Sequence, residues 1–220
     1  MIYFKIKGIV IYKERIKEAD ANVYILTKKD GILKIYAQGL YKIQSKNLPL
    51  LELGNYLQIF GLKEGGNLKL ISVLPLRVGF LYFNKFPYLY LWVFYLLKKI
   101  NPLEIDSFIW QIILNLDIYL SQNPKIFPHY FIYHFLSSLG FSPDLTHCFQ
   151  CHRKLRENIY FDGKIGLYCF KCKKPAFQKI KTDDWSKALK ISSKEKLPST
   201  VPSFLKIILR NYLKKIKKLI

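Results

Sequence analysis

Two Cys-x-x-Cys pairs constrain this chain more than any other feature. Cys148-Phe149-Gln150-Cys151 and Cys169-Phe170-Lys171-Cys172 stand 17 residues apart. Each tight knuckle aims two thiolates at one point, and two knuckles brought together make a tetrahedron of soft ligands that suits zinc. Between them Tyr160-Phe161-Asp162-Gly163-Lys164 offers a hairpin turn that can bring the knuckles together. Four ligands leave no open position, so one structural Zn2+ is expected, with no metal-bound water for chemistry. Two unrelated thiol pairs, or a redox motif, are the alternative. His147 and His152 flank the first knuckle and read as surface neighbours. His129 and His134 are five apart, which does not align them on one helical face as a metal pair.

Charge is the second constraint. Lys and Arg number 36 against 15 Asp and Glu, a net of +21. Such a surplus repels itself unless a polyanion neutralises it, and nucleic acid is the usual one. An anionic membrane is the runner-up. Residues 1–77 carry a net of +7, residues 78–147 are neutral, residues 148–172 carry +3 and residues 173–220 carry +11. Basic ends therefore flank a neutral, aromatic-rich middle. The start of the chain lacks the basic-then-apolar layout of a secretion signal. The most apolar stretch, Val78–Leu97, is interrupted by Asn84, Lys85 and Pro87, and reads as a buried core helix rather than a membrane span. The expected location is the cytoplasm, at the nucleoid, where the four thiols stay reduced.

The first 75 residues alternate as strands do. Tyr3–Tyr12, Asn22–Thr27, Ile32–Gln38, Asn55–Leu62 and Leu68–Leu74 are the expected strands. Asp30-Gly31 supplies the positive φ of a hairpin turn, and Lys63–Asn67 marks a second hairpin. Five short strands suit a small barrel, either an OB-fold or an SH3-like barrel. Periodicity does not separate these two. After Pro75 the pattern turns helical: Tyr88–Ile100, Glu104–Ser121, Pro128–Leu139, a short helix opened by Thr182-Asp183-Asp184, and Phe204–Ile220, with Ile191–Pro202 as a polar linker. The expected class is α+β multidomain. It divides into a barrel domain at 1–77 and a helical domain at 78–220, with a zinc ribbon at 145–175 inserted in the latter. No Gly-rich phosphate loop, H-E-x-x-H or G-x-S-x-G is present, so the chain is not expected to be an enzyme.

The order of these parts resembles the bacterial RecO recombination-mediator family along nearly the whole chain. Gly8-Ile9-Val10, then Glu18-Ala19-Asp20 and Leu26-Thr27, is similar to the family's first two strands. Asp30-Gly31-Ile32-Leu33-Lys34 and Ala37-Gln38-Gly39 resemble its third strand and the glycine after it. Lys42 and Ser45 resemble its basic, Ser-containing loop. Leu139-Gly140-Phe141-Ser142-Pro143 precedes the knuckles as in zinc-bearing members, and Leu209-Arg210-Asn211-Tyr212-Leu213 is similar to the closing helix. One departure is Gln38, where the family commonly has a basic residue before the glycine. Some members lack the zinc ligands, which makes the metal a local fold support. The resemblance implies an N-terminal OB-fold, binding of single- and double-stranded DNA, and annealing of complementary strands. It also implies RecR and the tail of the single-stranded-DNA-binding protein SSB as partners, with RecF a possible further one, and help in loading RecA on coated DNA.

The chemistry expected of such a chain is electrostatic capture plus stacking. Lys5, Lys7, Lys34, Lys42, Lys46 and Lys69 are candidate phosphate contacts, and Tyr12, Tyr36 and Tyr41 are candidate ring faces for unpaired bases. Core packing for each Tyr, and a solvated surface for each Lys, are the structural alternatives. The rival functions are a zinc-ribbon transcription or RNA-binding factor and a membrane-surface protein using Phe204–Ile220 as a basic amphipathic helix.

Overall fold

The protein is described by a computed structural model covering residues 2–79, 85–193 and 200–219, with side chains up to residue 215. Part of the apolar stretch Val78–Leu97, half of the linker Ile191–Pro202, and the side chains of Ile216, Lys217, Lys218, Leu219 and Ile220 lie outside the described residues. The chain forms two compact units, Met1–Asp117 and Ile118–Ile220.

Five strands build the first unit: β1 (Ile2–Arg15), β2 (Ala21–Leu26), β3 (Ile32–Ala37), β4 (Tyr56–Glu64) and β5 (Asn67–Arg77). They close into a barrel in the order β1-β2-β3-β5-β4, with β4 paired back to β1. β3 and β5 run parallel while the other pairs run antiparallel. This is the OB-fold arrangement, which separates it from the SH3-like alternative. β1 is longer than its alternation suggested because it serves two partners. Its first half pairs with β4 and its second half with β2, with a bulge between Val10 and Tyr12 where it bends. Gly8 sits at this handover, where a Cβ would collide with the side chain of Ile25 and the backbone of Leu26. Val10, Val23, Ile25, Ile35, Leu57 and Ile59 fill the barrel, and along β3 and β4 the inward residues alternate with outward ones as the pleat requires. Gly31 adopts φ +61 in the β2–β3 turn, as Asp30-Gly31 predicted.

The strand-to-helix change falls where expected, β5 ending at Arg77. The compact unit nevertheless continues to Asp117 and includes α1 (Pro87–Ile100) and α2 (Ser107–Leu114). Tyr90, Val93, Phe94 and Leu97 form the buried stripe of α1. The single helix expected over Glu104–Ser121 is two helices, α2 and α3 (Leu116–Gln122), broken at Asn115. Arg77 stands at this break. Its guanidinium donates to the Leu114 carbonyl at 2.5 Å and to Asn115 Oδ1 at 3.1 Å, and forms a fork onto both carboxylate oxygens of Asp117 at 2.8 and 2.9 Å. One guanidinium thus holds a carbonyl, an amide and a carboxylate together at the break. The start is also later than expected, because Asp106 caps α2 by accepting the N–H groups of Phe108 and Ile109.

The second unit centres on α4 (Phe127–Ser138), whose Phe127, Tyr130, Phe131, Phe135 and Leu136 are buried. Rings four residues apart stack along it, Phe127 on Phe131 at 5.8 Å and Phe131 on Phe135 at 5.6 Å between centroids. This explains a middle segment that is aromatic and uncharged. Helices α5 (Thr182–Ser192) and α6 (Ser203–Leu219) pack against α4. The α6 stripe Phe204, Leu205, Ile208 and Leu209 is buried, while Lys206 and Arg210 stay in water. In the first half of α6 the apolar face that a membrane-surface helix would need is therefore taken up by packing. Among the described residues no helix is long and apolar enough to cross a membrane.

Candidate nucleic-acid interface and metal centre

On the barrel, residues pointing away from the core along β2, β3 and β5 converge on one open cleft. Ile35 and Ala37 of β3 point inward, so Lys34 and Tyr36 point outward. The parallel register sets Tyr36 directly opposite Lys69 on β5, and the antiparallel register sets it opposite Asn22 on β2. Together with Gly66 of the β4–β5 turn and Asn67 at the start of β5 these residues line a cleft of about 370 Å³. A sheet face bordered by the β4–β5 loop is where OB-folds take oligonucleotides. Lys69 also meets Glu64 at 2.5 Å, but both side chains are about half exposed, and exposed pairs of this kind are weak. Tyr36 is fixed by its hydroxyl, which donates to Asp20 Oδ2 at 2.6 Å. Asp20 Oδ1 in turn accepts the Gly39 N–H at 2.7 Å. These two bonds, first from Gly39 and then from Tyr36, hold the Asp20 carboxyl below the ordinary carboxylate range.

The other candidates are not gathered there. Lys5 and Lys7 line a different cleft of about 280 Å³, with Lys28, Lys29, Tyr56 and Trp110. Lys42 and Lys46 are exposed on the loop after β3. Tyr41 carries the Arg15 guanidinium over its ring at 5.0 Å. Tyr12 does not offer the free ring face expected of it: the Lys98 ammonium of α1 lies 3.3 Å from its ring centroid, and Tyr24 packs beside it at 5.4 Å. Sequence reasoning missed Asn22 and Asn67. The alternation of β2 carries Asn22 to the same face as Tyr24, and this was a usable signal. Trp110 was also missed, and nothing in the sequence marks a ring in the middle of an apolar helix as a cleft wall.

The four cysteines meet as their spacing predicted. All four Sγ atoms lie within 4.8 Å of one another, and Cys151 Sγ stands 3.8 Å from Cys169 Sγ. Metal–sulfur bonds of about 2.3 Å at tetrahedral angles give sulfur–sulfur edges of about 3.8 Å, so the donor set fits one ion. Three short strands hold the knuckles: β6 (Tyr160–Phe161), β7 (Leu167–Tyr168) and β8 (Gln178–Lys179), in the order β7-β6-β8. The hairpin turn expected between the knuckles is present. Asp162 Oδ1 accepts the N–H groups of Lys164, Ile165 and Gly166 at 2.7, 2.9 and 3.1 Å. The Phe149 N–H donates to the Leu167 carbonyl at 2.7 Å, tying the first knuckle to the strand that leads into the second.

Burial pushes the Cys148 thiol up, but backbone N–H groups of Cys151, Cys169 and Gln150 outweigh it and bring it down to about 6. Cys172 moves the other way, to about 12, through hydrogen bonding with Cys151 and then burial. Four sulfurs this close cannot all ionise without a cation, which is the electrostatic demand that a divalent ion meets. His147 and His152 stay out of the cluster, and His147 bonds Asp144 at 3.1 Å.

Comparison with known proteins agrees along both units. Residues 1–78 match the family model described as "Recombination protein O N terminal", and residues 111–189 match "Recombination protein O C terminal". A protein of Dehalococcoides mccartyi named DNA repair protein RecO is 28% identical over 178 residues, covering 77% of this chain and 70% of the relative. Another of that name, from Thermodesulfovibrio yellowstonii, is 28% identical over 179 residues, covering 78% and 70%. With the N- and C-terminal models matched in order along the chain and relatives of that name alongside, this chain belongs to the RecO family of DNA repair proteins.

Proposed function

We propose that this protein is a non-catalytic recombination mediator that holds single-stranded DNA on its barrel and anneals complementary strands. The observation that carries this reading is the juxtaposition of Tyr36 with Lys69 and Lys34 around one open cleft on the OB face. A ring beside two ammonium groups is what an unpaired base and its phosphates call for. Annealing requires only that two strands be held with their charge screened. It requires no nucleophile and no nucleotide hydrolysis, in keeping with the absence of phosphate-loop and hydrolase motifs.

The metal belongs to this reading as a support. Cys148, Cys151, Cys169 and Cys172 would hold one zinc ion, which supplies a four-way crosslink and no open coordination site. Family membership supports the further roles. These are cooperation with RecR, contact with RecF and the SSB tail, and indirect help in loading RecA at the nucleoid. The uncharged, aromatic α4 with α6 and its cations packed beside it suits a tail with acidic residues and an apolar end.

A strand-annealing assay on SSB-coated oligonucleotides tests the central claim. Wild-type protein should accelerate annealing without a nucleotide, and Lys34→Ala/Lys69→Ala should lose most of that acceleration. Equal annealing by the variant, or preferential binding of RNA in competition, would overturn the reading.

A further inference from the structure

The ribbon carries a surface that the barrel cleft does not explain. Residues 148–181 hold nine Lys and Arg against two acids, a net of +7, and all nine cations are exposed. Of the two acids, Asp162 has an oxygen engaged by three backbone N–H groups of its own turn.

The residue after the first cysteine of each knuckle is a phenylalanine, and both rings lie in solvent. Phe149 is 51% and Phe170 is 60% exposed. This contrasts with the rest of the ribbon, whose Ile159, Phe161 and Leu167 are buried. The hairpin side docks on α6: Phe161 meets Phe204 at 6.1 Å, and Asn211 Nδ2 donates to the Lys164 carbonyl at 2.9 Å. The two knuckle rings take no part in that docking. Each has a second ring behind it, Tyr168 at 5.9 Å from Phe149 and Tyr160 at 6.5 Å from Phe170. The Lys173 ammonium stands 4.5 Å from Phe170 and 4.6 Å from Tyr160.

Exposed flat rings interleaved with cations match unpaired bases on a phosphate backbone. Duplex DNA would satisfy the cations but offers no free base face to the rings. An acidic protein surface would do the same. We propose that the two knuckles form a second single-stranded DNA site, with Phe149 and Phe170 stacking on bases and Arg153, Lys154, Lys171 and Lys173 meeting phosphates. This site goes beyond the barrel reading and does not depend on it.

The test uses the full chain. Phe149→Ala/Phe170→Ala should keep its metal and lose about tenfold or more in single-strand affinity, while duplex affinity changes by less than about threefold. Lys171→Gln/Lys173→Gln should flatten the log–log salt dependence by about 1.4, at about 0.7 per lost contact. Unchanged single-strand affinity in a metal-retaining variant overturns the proposal. So does loss of acidic-peptide binding with DNA binding intact.

If the ring variant loses metal, photocrosslinking of the wild-type chain to a bromodeoxyuridine oligonucleotide decides. Adducts in the peptide bearing Phe149 or Phe170 support the site, and adducts confined to residues 2–79 overturn it. Lys34→Ala/Lys69→Ala measured in parallel separates the two readings. Loss there alone rejects the ribbon site and leaves the barrel reading standing. Loss in the ribbon variants alone does the reverse.

Discussion

The Tyr36 hydroxyl donates to Asp20 at 2.6 Å, so the ring that borders the barrel cleft is oriented by a carboxylate on the β1–β2 connection. The same carboxylate accepts the Gly39 N–H at 2.7 Å, which fixes the chain where it leaves β3. One acid thus places the cleft's aromatic wall and starts the basic loop that carries Lys42 and Lys46.

This arrangement makes the barrel sensitive to acid. Hydrogen bonds depress the folded-state pKa of Asp20 below its unfolded value. Its contribution to stability is therefore present above about pH 4 and lost as pH falls through the folded value. Asp20→Asn should melt below wild type at pH 7, and the gap should narrow between about pH 5 and 3. Melting curves followed by circular dichroism across that range check it. A gap that widens in acid contradicts the assignment.

DNA binding should weaken steeply with salt, because each phosphate contact releases counterions. For single strands the log–log slope is about −0.7 per contact. Lys34→Ala/Lys69→Ala removes two cations of one cleft and should flatten the slope by about 1.4. Fluorescence anisotropy over a salt series measures it. A slope identical to wild type would remove the cleft from the interface.

Metal analysis of gently purified protein should find about one zinc per chain, since four thiolates close one tetrahedral site. Cys148→Ser should release it and lower the melting temperature of the unit that contains α4. Much of the barrel's DNA binding should persist, because the ligands and the cleft belong to different compact units. Full zinc retention in Cys148→Ser would reject the four-sulfur site.

Arg77→Ala should destabilise the first unit by about 2 kcal/mol, because it leaves the nearly buried Asp117 carboxylate and the Leu114 carbonyl without their charged donor. Arg77→Lys should recover only part of this, since an ammonium cannot span both the carboxylate fork and the carbonyl. Chemical denaturation gives the difference. A loss as small as that of an ordinary surface substitution would show that the fork onto Asp117 contributes little.

Much of this protein was legible from local signals. The knuckle spacing forecast the sulfur cluster, because ligand geometry within a C-x-x-C is set by the few bonds joining the two thiols. Asp30-Gly31 forecast its hairpin, and Asp162-Gly163 forecast the turn between the knuckles, because turns are decided by backbone sterics over four residues. Alternation placed Lys34 and Tyr36 on the outer face of β3 for the same local reason. What the sequence did not determine were the relations between distant segments. The β3–β5 pairing that sets Tyr36 against Lys69 joins residues 33 apart, and no short-range pattern encodes that register. Arg77 reaches Leu114, Asn115 and Asp117 across a similar gap, at a helix break through which the apolar periodicity runs on. Lys98 covers Tyr12 because α1 comes to rest on β1. In each case the deciding contact exists only once the chain has closed on itself, so tertiary structure alone chose which of the candidate lysines and tyrosines share a cleft.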